Sequence, residues 1–294
     1  MAILTGEFTR RTLLAAGAVT ALAGLAGCGQ EPREASVQPS PQPDPASASP
    51  TPTPTPSAAA VPTKAELVQA YAGRVPTQWG TDVTGVVSRT PAPGVLLTLD
   101  LCGGPGGAAL DQRIVDLLVE YAVPAGVFVN ARWIDANPGA VERLIATGVI
   151  EMGNHGTSHR PLSVTGRAAY GINGTADVGA VVDEVLTCHD RLTTLTGTAP
   201  RWFRSGTAHY DEVAVDILRA VGEVPVGFSV NGDAGATASA TAVDQAVRGA
   251  KPGDIVIAHA NHPNAATFTG LARALPAMVA NGTRFLRLSE ADLT

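Results

Sequence analysis

From about residue 94 onward, short apolar runs alternate with longer stretches whose apolar residues recur at three- and four-residue spacing. The runs 94–100 (GVLLTLD), 125–130 (AGVFVN), 149–153 (VIEMG), 201–204 (RWFR), 224–230 (VPVGFSV), 254–260 (DIVIAHA) and 284–288 (RFLRL) read as strands. Between the first two, residues 109–123 put Ile114, Leu117, Leu118 and Tyr121 on one helical face. Further helices are predicted from Asn137, with Pro138 in the first turn, and over 178–197, 212–222, 242–250 and about 265–280. A polar, Gly-rich stretch at 161–176 breaks the alternation and predicts a surface excursion. Strand alternating with helix predicts a parallel sheet. About seven such units predict an α/β fold, a distorted (β/α) barrel of about seven strands, with its chemistry at the carboxyl ends of those strands.

The alternation is absent from the N-terminal part of the chain. Arg10 and Arg11 precede a small-residue apolar run that closes with Leu25-Ala26-Gly27-Cys28, so residues 1–28 read as a signal peptide. Thr-Arg-Arg-Thr-Leu-Leu resembles a twin-arginine signal, and Leu-Ala-Gly-Cys resembles a lipoprotein box. Those resemblances imply export and lipidation of Cys28, with the protein anchored to the outer face of the cell membrane in the cell envelope. Residues 29–63 are a Pro/Ser/Thr/Ala tract with little to bury, which predicts a disordered linker. The remainder, 64–294, is long enough for one large single-core domain.

Composition narrows the partners. The net charge is -6, from 20 basic and 26 acidic residues, and no basic cluster stands out, which excludes nucleic acid as a partner. Aromatics are 4% of the chain, so sugar-stacking platforms reduce to candidates such as Trp133, Trp202, Phe228 and Tyr210. Besides Cys28 there are Cys102 and Cys188, which either pair outside the cytoplasm or stay as two buried thiols.

Candidate chemistry collects at predicted strand ends. His155 and His159 lie four apart in MGNHGTSHRP, between a strand and a Pro-containing loop, and are candidate metal ligands. Gly156 follows His155, so this is not the HExxH pattern of zinc proteases. Asp100 ends a wholly apolar strand; burial there raises a carboxyl pKa and suits a general base. His259 ends DIVIAH and suits a general acid, with His262 as a competitor further into the loop. Arg204 is placed to orient a carboxylate, and Asp233 to fix a histidine tautomer.

Taken together, residues 94–290 resemble the polysaccharide deacetylase family, the NodB-homology or carbohydrate esterase 4 group. Leu-Thr-Leu-Asp100 is similar to its first motif, whose leading aspartate is the base. Asn154-His155-Gly-Thr-Ser-His159 looks like the second, which supplies two metal histidines. Phe203-Arg204, Asp233 and Ile257-Ala258-His259 resemble the third, fourth and fifth. The resemblance implies a NodB-like barrel and a metal-dependent hydrolase acting on N-acetyl groups of a peptidoglycan-like or chitin-like polysaccharide. It implies a divalent metal, zinc foremost, and catalytic roles for Asp100, His259, Arg204 and Asp233. A non-catalytic glycan-binding lipoprotein and an O-acetyl esterase are the alternatives. Two departures stand out. Leu101 occupies the place of a metal-binding aspartate, leaving Cys102, Asp100 itself, a water or nothing as third ligand. Ser205-Gly206-Thr207 replaces the usual Pro-Tyr of the third motif, with an N–H to an oxyanion still open.

Overall fold

The computed structural model describes residues 61–293; the signal peptide, Cys28 and nearly all of the linker expected from the sequence lie outside the described residues. Helix α1 (Lys64–Tyr71) precedes β1 (Leu96–Leu101), α2 (Gln112–Glu120), β2 (Ala125–Val129), α3 (Ala131–Ala136), α4 (Ala140–Ala146) and β3 (Ile150–Asn154). Then come α5 (Val178–Thr196), β4 (Trp202–Phe203), α6 (Glu212–Val221), β5 (Val224–Pro225), β6 (Val230–Asn231), α7 (Ala240–Gly249), β7 (Ile255–His259) and α8 (Thr267–Ala280). The strands form one seven-stranded sheet in the order β5-β4-β3-β2-β1-β7-β6, with parallel pairing throughout. The seven-stranded α/β barrel architecture expected from the alternation is present. Among the described residues no helix is long and apolar enough to cross a membrane.

Two expected strands differ. The run 224–230 is not one strand: Val224–Pro225 pairs with β4, and Val230–Asn231 pairs with β7 at the opposite end of the sheet order. Only residues 226–229 separate them, so the chain itself draws the two sheet edges together. Four residues reach at most about 17 Å. The other is the run 284–288, which makes a single bridge from Phe285 to Val95 before a 3-10 turn at Leu288–Glu290. Its leucines, Leu286 and Leu288, pack with Leu96, Phe128, Trp202 and Ile255.

Alternation along β1 separates two cores. Val95, Leu97, Leu99 and Leu101 pack with side chains of α2, α7 and α8, whereas Leu96 faces the inner cluster with Phe128 and Ile255. Period two therefore puts Asp100 on the inner face and Leu101 on the helix-covered one. A third cluster joins α1, α5 and α6 through Leu67, Val181, Val185, Val213 and Ile217.

The segment before β1 is clamped to the start of α6. Glu212 accepts hydrogen bonds from the backbone N–H groups of Thr77 and Gln78 and from Thr77 Oγ1, and Gly80 bridges Tyr210. Slight burial pushes the Glu212 carboxyl up, but these donors outweigh it and bring the pKa down to about 2 from 4.5. The folded-state value is the lower one. The clamp therefore stabilises fully above about pH 4.5 and its contribution is lost as the pH falls toward 2. In urea titrations at a series of acidic pH values, Glu212→Gln should be destabilised near neutrality and should lose less stability than the parent on acidification; parallel acid limbs would contradict the clamp.

Candidate active site

The register of the sheet assembles the site. Asp100 lies directly across from His259 in the β1–β7 ladder, and Val129 across from Asn154 and Asn154 from Phe203 in the neighbouring ladders. His155 and Arg204, each one residue past its strand, therefore emerge side by side at the carboxyl edge.

Arg204 is fully buried. Its Nη1 donates to Asp100 Oδ1 at 2.8 Å, its Nε to the carbonyl of Val226 at 3.1 Å and its Nη2 to that of Gly227 at 2.9 Å. Its guanidinium also lies over the Phe128 ring, 4.3 Å from the centroid. Burial pushes Asp100 up, yet the charge of Arg204, joined by His155 and His259, outweighs it and holds the carboxyl below its ordinary value. The raised pKa expected from the apolar strand is thus corrected: the sequence pattern displayed the burial but not the pairing.

His155 is buried, with its Nδ1 donating to the carbonyl of Arg204 at 2.8 Å. That bond leaves Nε2 as the free ligand atom, 3.6 Å from Asp100 Oδ2 and 3.7 Å from Cys102 Sγ. The ring of His159 meets that of His155 edge-on at 4.9 Å. Cys102, His155 and His159 offer one ligand atom each, all within 4.8 Å of one another. Burial pushes the Cys102 thiol up, but hydrogen bonds from His155, His159 and His259 dominate and lower it well below the ordinary value. Soft sulfur with two imidazoles is a donor set suited to a transition metal such as zinc. Leu101 lies on the opposite face, buried with Leu97 and Leu99. Cys102 and Cys188 are both free; Cys188 is buried in α5 against the carbonyl of Val129.

His259 pairs with Asp233, which accepts from the His259 ring at 2.9 Å, from its backbone N–H at 2.8 Å and from Thr267 Oγ1 at 3.0 Å. Burial works against the charged imidazole, but the bonds to Asp233 and Cys102 prevail and raise its pKa well above 6.5. His262 sits 6.5 Å away between ring centroids, outside this pairing.

Two acids absent from the sequence reading support the histidine loop. Glu184, buried in α5, accepts the N–H groups of Ser158 at 2.9 Å and Arg160 at 3.1 Å. Gly156 has a positive φ, and a Cβ there would come within 2.5 Å of Glu184 Oε1. His159 also has a positive φ, 61°, so the loop coils around this carboxylate. Burial raises the pKa of Glu184 despite these donors. Deeper still, Glu223 accepts from His189 at 2.6 Å and from Asn154 Nδ2 at 3.0 Å, while Asn154 Oδ1 accepts the N–H of Gly156 at 2.9 Å. A signal was present for this layer: His189 falls on the buried stripe of α5 with Val185 and Leu192.

In the third-motif run, the Ser205 N–H donates to Tyr210 Oη at 2.8 Å and that of Gly206 to the Arg160 carbonyl at 3.3 Å. Neither is left for a substrate oxyanion. Among the expected sugar platforms, Trp133, Tyr210 and Trp202 are buried in the cores and only Phe228 is partly exposed. The stretch 161–176 is only partly a surface excursion, because Pro161–Val164 and Gly174–Thr175 are buried.

Comparison with known proteins gives a consistent neighbourhood. The sequence profile described as polysaccharide deacetylase matches residues 88–226. A chitooligosaccharide deacetylase of Sinorhizobium fredii is 38% identical over 80 residues, 27% of this chain and 35% of that protein. A family 4 carbohydrate esterase from Streptomyces lividans, solved with acetate, superposes with a TM-score of 0.55 at 20% identity, covering 68% of this chain and 95% of that one. A Bacillus anthracis protein described as a CE4 family pseudoenzyme superposes with a TM-score of 0.56 at 20% identity, covering 72% of this chain and 69% of that one.

The loop-gathering role of Glu184 is testable without any substrate. Glu184→Ala leaves backbone donors beneath His159 unsatisfied, at about 1–3 kcal/mol each. The denaturant midpoint should drop by an amount corresponding to about 3 kcal/mol. A loss under about 0.5 kcal/mol, the scale of a plain surface substitution, would show that the loop holds itself.

Proposed function

We propose that this chain, whose residues 88–226 match the polysaccharide deacetylase profile, hydrolyses N-acetyl groups from the sugars of a cell-wall or surface polysaccharide, peptidoglycan-like or chitin-like. One observation carries the reading: a carboxylate held ionised by Arg204 and an imidazole paired to Asp233 both border the Cys102/His155/His159 donor set. Glycan binding alone requires neither a base nor an acid.

Cys102, His155 and His159 would hold the divalent ion, and the sulfur in the set favours zinc. When bound, such an ion supplies Lewis-acid polarisation of the acetyl carbonyl. Asp100, kept as carboxylate by Arg204, takes a proton from the attacking water as its oxygen bonds to the acetyl carbon. His259, its pKa raised by the bond to Asp233 against the cost of burial, gives its proton to the sugar nitrogen as the C–N bond breaks. Acetate and the free amine leave. Arg204 positions twice over: its side chain orients Asp100, and its carbonyl fixes the tautomer of His155. Lipidation at Cys28 and the Pro-rich linker would hold the domain outside the membrane, within reach of such a polymer.

A second reading has one observation in its favour. Leu101 replaces the second aspartate of the first motif, and the fold is shared with a pseudoenzyme. A non-catalytic glycan-binding protein would keep the barrel without the reaction. Acetate release by the purified full chain on N-acetylated glycans, with and without chelator, separates the two. Release abolished by chelator and restored by zinc is expected; glycan binding with no acetate from any polymer would leave the binding reading in place.

Two substitutions test the assignments. His155→Ala should abolish stoichiometric metal in the purified protein, and unchanged metal content would place the ligands elsewhere. His259→Ala should keep the metal and lower kcat by about 100-fold or more; a loss of only a few fold would remove it as the acid.

A further inference from the structure

We propose that Tyr170, backed by Trp79 and His209, forms a stacking subsite for a pyranose ring of the polysaccharide, a neighbour of the sugar being deacetylated. This deepens the deacetylase reading and rests on it for the identity of the ligand.

Tyr170 is 82% exposed, the sole aromatic among the large hydrophobic residues that the described residues expose. In a chain with four tyrosines and three tryptophans, that exposure is selective. Its backbone is also unusual. Tyr170 has φ 52° and Gly171 φ 75°, the two central positions of a tight turn closed by the Ala169–Ile172 bridge. Turns with two positive φ values favour Asn, Asp or Gly, and a bulky aromatic there is costly. Burial does not repay that cost, because the ring projects into solvent. Residues held in such conformations cluster at ligand sites.

The ring is not free to swing alone. It stands edge-on to the His209 ring at 5.3 Å and 88°, and His209 in turn lies 5.8 Å from Trp79. The guanidinium of Arg167 sits over Trp79, 5.2 Å from its centroid. Trp79 is set by the Gly80–Tyr210 bridge and by the Glu212 clamp on Thr77 and Gln78. The result is a pre-formed aromatic wall with a cationic donor at its edge. It offers an apolar face to the C–H face of a sugar and N–H groups to the hydroxyls around its rim.

The wall adjoins the proposed centre. His209 belongs to the loop that begins at Arg204. In that loop Gly206 lies against the backbone of His159 so closely that a Cβ would meet it at 2.3 Å. Two residues, Thr207 and Ala208, separate Gly206 from His209, a Cα span of at most about 11 Å. A glycan engaged at Asp100 and His259 and running past His159 would meet Tyr170 with an adjoining sugar.

The test is binding by the full chain, titrated calorimetrically with an N-acetylglucosamine hexamer and with soluble peptidoglycan strands, alongside acetate release on the same glycans. Tyr170→Ala, and more so its combination with Trp79→Ala, should weaken binding of the preferred glycan by about fivefold or more. Tyr170→Phe should retain most of the affinity because it keeps the ring face. Unchanged affinity in Tyr170→Ala with acetate still released would overturn the subsite and leave the hydrolase standing. Lost affinity in a protein that releases no acetate would keep the subsite and remove the hydrolase. Failure of the parent chain to bind either glycan would overturn the subsite outright.

Discussion

Arg204 carries a permanent charge into a fully buried position, where an unpaired cation costs several kcal/mol even after relaxation. The cost is met on every side. The guanidinium has Asp100 on one nitrogen and the carbonyls of Val226 and Gly227 on the others, with the Phe128 ring against its face. Those two carbonyls belong to the short link between β5 and β6, the strands at the two ends of the sheet order. One side chain therefore couples closure of the sheet to the ionisation state of the carboxylate at its centre. Through its own carbonyl it also selects the nitrogen that His155 presents. In the proposed reading, base, ligand and barrel all depend on how this one charge is buried.

Much of this was legible from the chain. Asp100, His155, Arg204, Asp233 and His259 all sit at or just beyond predicted strand ends, and a parallel sheet brings such ends to one edge whatever the strand order. The alternation also bears on the third donor. Period two separates Leu101, turned to the helices, from Asp100 on the inner face, and Cys102 joins the two histidines. What could not be read were properties of pairs distant in sequence. The lowered pKa of Asp100 depends on Arg204, far along the chain, and the histidine loop on Glu184 in a helix that otherwise reads as ordinary and amphipathic. Residues 224–230 looked like one strand because Val224, Val226, Phe228 and Val230 alternate along them; only the sheet edges they join reveal the break. Three of the four stacking candidates, Trp133, Trp202 and Tyr210, are unavailable for a simpler reason. Large aromatics in a chain poor in them were used to fill the cores, whereas Tyr170 is displayed by a turn whose geometry no composition count records.

The departure at Leu101 takes on a particular meaning in this setting. In the proposed reading the donor set has a soft sulfur in place of a hard oxygen, and sulfur and imidazole together narrow the range of ions such a set suits.

The link at residues 226–229 has a final consequence, for the order of folding. It can be drawn tight only after β7 has docked beside β1, a pairing of segments separated by most of the domain. Contacts of such long range form slowly, because loop-closure entropy is lost before they reward it. The donor set borders this same seam through Asp100 and His259. A chain still searching for that pairing has not yet set Asp100 beside His259, so these two groups meet only at the end of folding.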